Sequence, residues 1–115
     1  MGGYPHAIDA AEGPEWAKTT TTVMIRNIAC RFSQDDFIDV LHKLGLAGHY
    51  DGVCVPKSRK GKSNLGYGFV NFLTPESARL CYSLCHGRVF GESQTMKLCE
   101  IIPAKVQGSI AHIHL

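Results

Sequence analysis

The chain has 115 residues, of which 44% are hydrophobic and 19% charged, and its net charge is +2. That is enough for one domain with a modest core, and the composition excludes wholesale disorder. No apolar run approaches a membrane span, and so small a net charge makes the placement of the cations more telling than their number.

Residues 1–18 are rich in Gly, Ala, Pro and acidic side chains and read as a flexible arm. Trp16 is the exception, expected to pack on the domain edge rather than to stack on a ligand. Residues 19–28 start with threonines and continue Val23-Met24-Ile25-Arg26-Asn27-Ile28, an alternation that predicts a strand. Val23 and Ile25 share one face, Met24 and Arg26 the other. Ser33 followed by Asp35 and Asp36 marks a helix start, because a hydroxyl can cap the first turn and acids suit its dipole. Phe37, Ile38, Val40, Leu41 and Leu44 supply the apolar stripe, and Gly45 ends it. Residues 50–56 (YDGVCVP) predict a second strand with Val53 and Val55 inward. Lys57, Arg59, Lys60 and Lys62 follow in a polar loop, and residues 65–72 (LGYGFVNF) predict a third strand. Thr74-Pro75-Glu76 starts a second helix, with Ala78, Cys81, Tyr82 and Cys85 on one face and Gly87 at its end. Residues 96–102 (MKLCEII) predict the fourth strand, with Cys99 and Ile101 inward and Pro103 ending regular pairing. Residues 104–115 read as a brief helix.

The order β-α-β-β-α-β is the ferredoxin-like layout, an α+β fold. It implies a four-stranded antiparallel sheet with both helices on one face and the other face open. Alternation puts Met24, Arg26, Cys54, Tyr67, Phe69, Asn71, Leu98, Glu100 and Ile102 on that open face. Two rings there can stack on splayed bases, and Gly66 and Gly68 are expected to clear space beside them.

At this point the chain resembles the RNA recognition motif. Gly66, Tyr67, Gly68, Phe69, Val70 and Phe72 match its long octamer signature, with Leu65 in the usual cationic slot. Val23, Ile25, Asn27 and Ile28 match the short hexamer, with Met24 in the usual aromatic slot. Both departures are typical of the Mei-two-like branch, the meiosis-regulator RNA-binding proteins. Residues 21–28, Tyr50-Asp51, Pro56, residues 64–72 and Ala104-Lys105-Val106-Gln107-Gly108 are similar to that branch as well. The chain differs from it at Ala29-Cys30-Arg31, at Gly52 and at Pro103. The resemblance implies a single RNA-binding motif over residues 19–105, with residues 106–115 as a C-terminal extension. It also implies single-stranded RNA as partner, in proteins that regulate meiosis or development.

Within that reading Tyr67 and Phe69 stack on bases, with Met24 as a contact or a support. Arg26, Lys57, Arg59, Lys60 and Lys62 hold phosphates, and Arg26 is assigned no structural gain from its place. Asn71 reads a base edge or caps the platform, and Lys105 adds a contact past the fourth strand. The alternative is a protein-interaction module whose sheet face is covered or meets a protein, favoured by Met24, Leu98 and Ile102. No nucleophile–base pair or anion-binding cradle points to an enzyme, and no cofactor is expected. Cys81, Cys85 and His86 lack the second pair that a closed metal site needs, so core packing is the expected role of the two thiols. Five cysteines, an odd count without paired spacing, and no secretory leader layout point to free thiols. An intracellular monomer in the nucleus or cytoplasm, away from membranes, is expected.

Overall fold

Ser33 and Thr74 set where the two helices begin. Ser33 Oγ accepts from the Asp36 amide at 3.1 Å, while the Asp36 carboxylate accepts from the Ser33 amide at 2.9 Å. This reciprocal cap starts α1 (Gln34–Lys43) and holds the Asp36 carboxyl below its ordinary value. Thr74 Oγ1 accepts from the Ser77 amide, and Pro75 opens α2 (Pro75–Cys85) with its ring already set for the helix. The strands are β1 (Thr22–Arg26), β2 (Tyr50–Cys54), β3 (Tyr67–Phe72) and β4 (Glu100–Pro103). They form one antiparallel sheet in the order β2-β3-β1-β4, as the ferredoxin-like expectation requires. The computed structural model describes residues 14–91 and 97–108.

The core lies between the sheet and the helices. Val23, Ile25, Val70, Phe72 and Ile101 come from the inner face of the sheet, and Phe37, Leu41, Ala78 and Cys81 from the helices, all buried. Each large aliphatic or aromatic side chain so buried contributes about 1.5–3 kcal/mol of transfer free energy. Cys85 and Cys99 belong to the same core. Cys99 Sγ donates to the Cys85 carbonyl at 2.9 Å, and a hydrogen bond to Cys85, with burial behind it, pushes the Cys99 thiol up. His86 Nδ1 accepts from the Ile101 amide at 3.1 Å.

Four expectations are corrected. The arm expected over residues 1–18 is not free at its end: Glu15–Lys18 is a 3-10 turn docked on α2. Ala17 is fully buried, Trp16 meets Tyr82 edge-on at 5.7 Å, and Arg79 Nη1 donates to the Ala17 carbonyl. Residues 1–13 lie outside the described residues. Second, β4 starts later than expected. The Cys99 amide and carbonyl are already taken by Arg88 and Gly87, so pairing with β1 begins at Glu100. Pro103 is the last residue of β4, on an edge strand where its missing N–H is tolerated. Third, residues 104–108 are a bent tail and not a helix; residues 109–115 lie outside the description. Fourth, Gly68 faces the core rather than the rings. A Cβ there would stand 2.7 Å from the Phe37 ring. Gly66, at φ +94°, has open space around it and is set by its backbone alone.

Candidate functional site on the open sheet face

Strand register arranges the open face in three rows. Tyr67, Arg26 and Glu100 stand opposite one another on β3, β1 and β4. Phe69, Met24 and Ile102 form the next row, with Cys54 of β2 opposite Phe69. Asn71 and Thr22 form the third.

The first row is open and polar. Arg26 Nη1 lies 3.2 Å from Glu100 Oε1, with side chains 49% and 47% exposed. Arg26 therefore does have a structural partner, contrary to expectation, although an exposed pair adds only about 0.2–1 kcal/mol. Tyr67 is half-buried and meets Phe69 edge-on, with ring centroids 5.7 Å apart. The row is bounded by Asn27, whose φ of +67° is a conformation asparagine tolerates better than most residues. Its amide donates to the Gly66 carbonyl and its Nδ2 to the Leu98 carbonyl, which draws together the entries to β3 and β4. Leu65 and Leu98 sit there at 48% and 54% exposure.

The second row is a floor. Phe69 is only 8% exposed, packed among Met24, Cys54, Tyr67 and Ala104. It does not present the free ring that its alternation implied, because the chain leaving β4 turns over it. Met24 supports the same cluster.

The third row is closed by the tail. Gln107 Oε1 accepts from the amides of Thr21 and Thr22, and its Nε2 donates to the carbonyls of Thr22 and Ala104. The Gly108 amide donates to Thr22 Oγ1 at 2.8 Å, and Thr22 is fully buried. Asn71 is occupied at both ends: its Oδ1 accepts from the hydroxyls of Thr21 and Thr22, and its Nδ2 donates to Asp51 at 2.8 Å. These bonds tie Asn71 to β1 and β2 at this end of the sheet. A register shift between Tyr50 and Gly52 makes this possible, since it leaves Asp51 as an extra residue beside Asn71.

The basic loop is a structured hairpin. Lys57 bridges to Asn64, the Ser58 amide donates to the Ser63 carbonyl, and the Gly61 amide donates to the Ser58 carbonyl. Lys57, Arg59, Lys60 and Lys62 all point into solvent, as does Lys105 beyond β4. Lys57 and Lys62 share with Arg31, Ser63 and Asn64 a groove of about 130 Å³ between the loops after β1 and β2. Arg31 lies over the Phe32 ring at 5.3 Å. Sequence reasoning had not placed Arg31 here; a lone cation after a strand carries no periodic signal. It also missed the roles of Asn64 and Gln107, although both fall in the stretches quoted for the family resemblance. Among the described residues no helix is long and apolar enough to cross a membrane, and no group of three or more His, Cys, Asp or Glu could hold a metal.

Comparison with known proteins agrees with this fold. The family model described as RNA recognition motif 2 matches residues 20–115. Among curated relatives, Protein terminal ear1 homolog of Oryza sativa subsp. indica is 32% identical over 92% of this chain and 18% of its own length. Meiosis protein mei2 of Schizosaccharomyces pombe is 34% identical over 90% of this chain and 14% of its own. The chain thus spans less than a fifth of either relative. Among solved structures, the Rna15 RRM with bound RNA (GU) superposes with a TM-score of 0.63 at 13% identity, covering 82% of this chain and 97% of that one. The second RRM domain of yeast poly(U)-binding protein Pub1 superposes at 0.58 and 16% identity, covering 78% and 100%. At such identities these two similarities show the fold.

Proposed function

The chain belongs to the RNA recognition motif 2 family, of the Mei-two type, and from that premise we propose that its open sheet face binds single-stranded RNA. The observation that carries this reading is the first row. It sets Tyr67 on a central strand beside Arg26, next to a hairpin whose four cations face solvent with no acid among them. A base stacks on Tyr67, a contact worth about 1–3 kcal/mol. Lys57, Arg59, Lys60 and Lys62, with Arg31 across the groove, hold phosphates and so position the strand without reading it. Phe69 and Met24 support the Tyr67 ring from below, and Asn71 with Gln107 fixes the tail. The name of one relative, meiosis protein mei2, supports a role in meiosis, which we read as exerted by binding rather than catalysis.

The test is titration with mixed-sequence single-stranded RNA at two salt concentrations. Affinity should fall with salt and drop about tenfold or more in Tyr67→Ala, the size of one lost stack. No binding to any oligonucleotide at either salt would favour a protein partner instead. The exposed Leu65 and Leu98 speak for that second reading.

A further inference from the structure

We propose that Arg26 and Glu100 form a base-reading pair selective for guanine; the proposal rests on the RNA-binding reading above. Both side chains stand in the row of Tyr67, on the open face, half-exposed, with Nη1 3.2 Å from Oε1. The pair is not needed by the core, and its contribution to folding is at the weak end of ion pairs. A carboxylate on a face that meets a polyanion repels phosphate, and it accepts hydrogen bonds without donating any. Whatever part of the RNA meets Glu100 must therefore bring donors, and the donors of a nucleic acid are on base edges and sugar hydroxyls.

The Watson–Crick edge of guanine presents, in line, the O6 acceptor, the N1–H donor and the N2–H donor. A guanidinium beside a carboxylate presents the complement. Arg26 donates to O6 while the two oxygens of Glu100 take N1–H and N2–H. Adenine sets a lone pair beside its amino group, and uracil flanks its one donor with two acceptors, so each leaves a carboxylate oxygen facing a lone pair. Cytosine is the nearest competitor, since its amino group can reach Glu100, but it too supplies one donor position where the carboxylate has two oxygens. Register supports the pose. Arg26 lies one strand spacing from Tyr67 and Glu100 two, about 5 and 10 Å, so a base stacked on the ring extends its edge toward the pair. Leu65 and Leu98 give that base an apolar rim at the same end of the sheet.

The experiment uses the full 115-residue chain and short oligouridines carrying one central G, A, C or U, read by fluorescence anisotropy. The G-containing oligonucleotide should bind about tenfold or more tightly than the other three, the discrimination expected of a good bidentate contact. Glu100→Gln should bring all four to within about twofold of one another while still binding, with no more than the small drop in unfolding midpoint that loss of one exposed ion pair brings. Equal binding of the four by the unaltered chain, a preference for C, or a G preference that survives Glu100→Gln would each overturn the proposal and leave RNA binding intact. Binding of none of the four would overturn both.

Discussion

Asn64 is 4% exposed, and its side chain makes three bonds that tie the loop after β1 to the start of β3. Nδ2 donates to the carbonyls of Ala29 and Phe32, and Oδ1 accepts from the Gly66 amide. Asn64→Ala strands those groups away from water and should lower stability by about 2–3 kcal/mol in urea unfolding, with no change in charge. The two glycines beyond it show that one signature can hide two causes. Gly68→Ala should cost about 1–3 kcal/mol through the Phe37 ring, and Phe37→Leu should recover part of that loss in a double-mutant cycle. Gly66→Ala, with open space around it, should show no such coupling to Phe37. The outward-facing residues were legible in the sequence because side chains alternate along a strand. Their availability was not. Tyr67 and Phe69 look equivalent in the sequence, but Ala104, thirty-five positions beyond Phe69, packs beside Phe69, and the partner of Arg26 comes from the other edge of the sequence at Glu100.

Among the elements, the helix starts and the strand order were legible because each depends on chemistry close in sequence: a capping hydroxyl, an acid three residues on, a two-residue alternation. The misplacements all involve partners far along the chain. Cys99 is withheld from β4 by the backbone of Gly87 and Arg88. Glu15–Lys18, at the end of the expected arm, is docked by Tyr82 and Arg79. The tail after β4 is held chiefly by Gln107, whose amide joins Thr21, Thr22 and Ala104. Gln107→Ala should cost about 1–2 kcal/mol and should speed hydrogen exchange at the Ala104 and Gly108 amides well above the rate in the centre of β1. Exchange that stays slow at both amides would show that backbone contacts alone hold the tail. Phe69 should become more accessible in the same variant, so its RNA affinity is expected to rise or hold rather than fall.

Across the whole molecule the net charge of +2 conceals a separation. Four cations crowd the hairpin after β2, while Asp35, Asp36 and Asp39 lie exposed on α1. For a single strand each phosphate neutralised contributes about −0.7 to the slope of log affinity against log salt. Lys60→Ala with Lys62→Ala should therefore flatten that slope by about 1.4 and weaken all RNA sequences alike, whereas Glu100→Gln should leave the slope unchanged. The tail that closes the Thr22–Asn71 row also sets a gauge. Outward residues recur about every 6.7 Å along a strand, and among the described residues only the Tyr67 row of this face is clear of the tail, the Phe69 row lying beneath Ala104. On the proposed reading, such a face takes a word of one or two letters and then meets a wall. A word so short recurs everywhere in a transcript, so selectivity has to come from grammar: the distance between this word and the next one read by a second module on the same RNA.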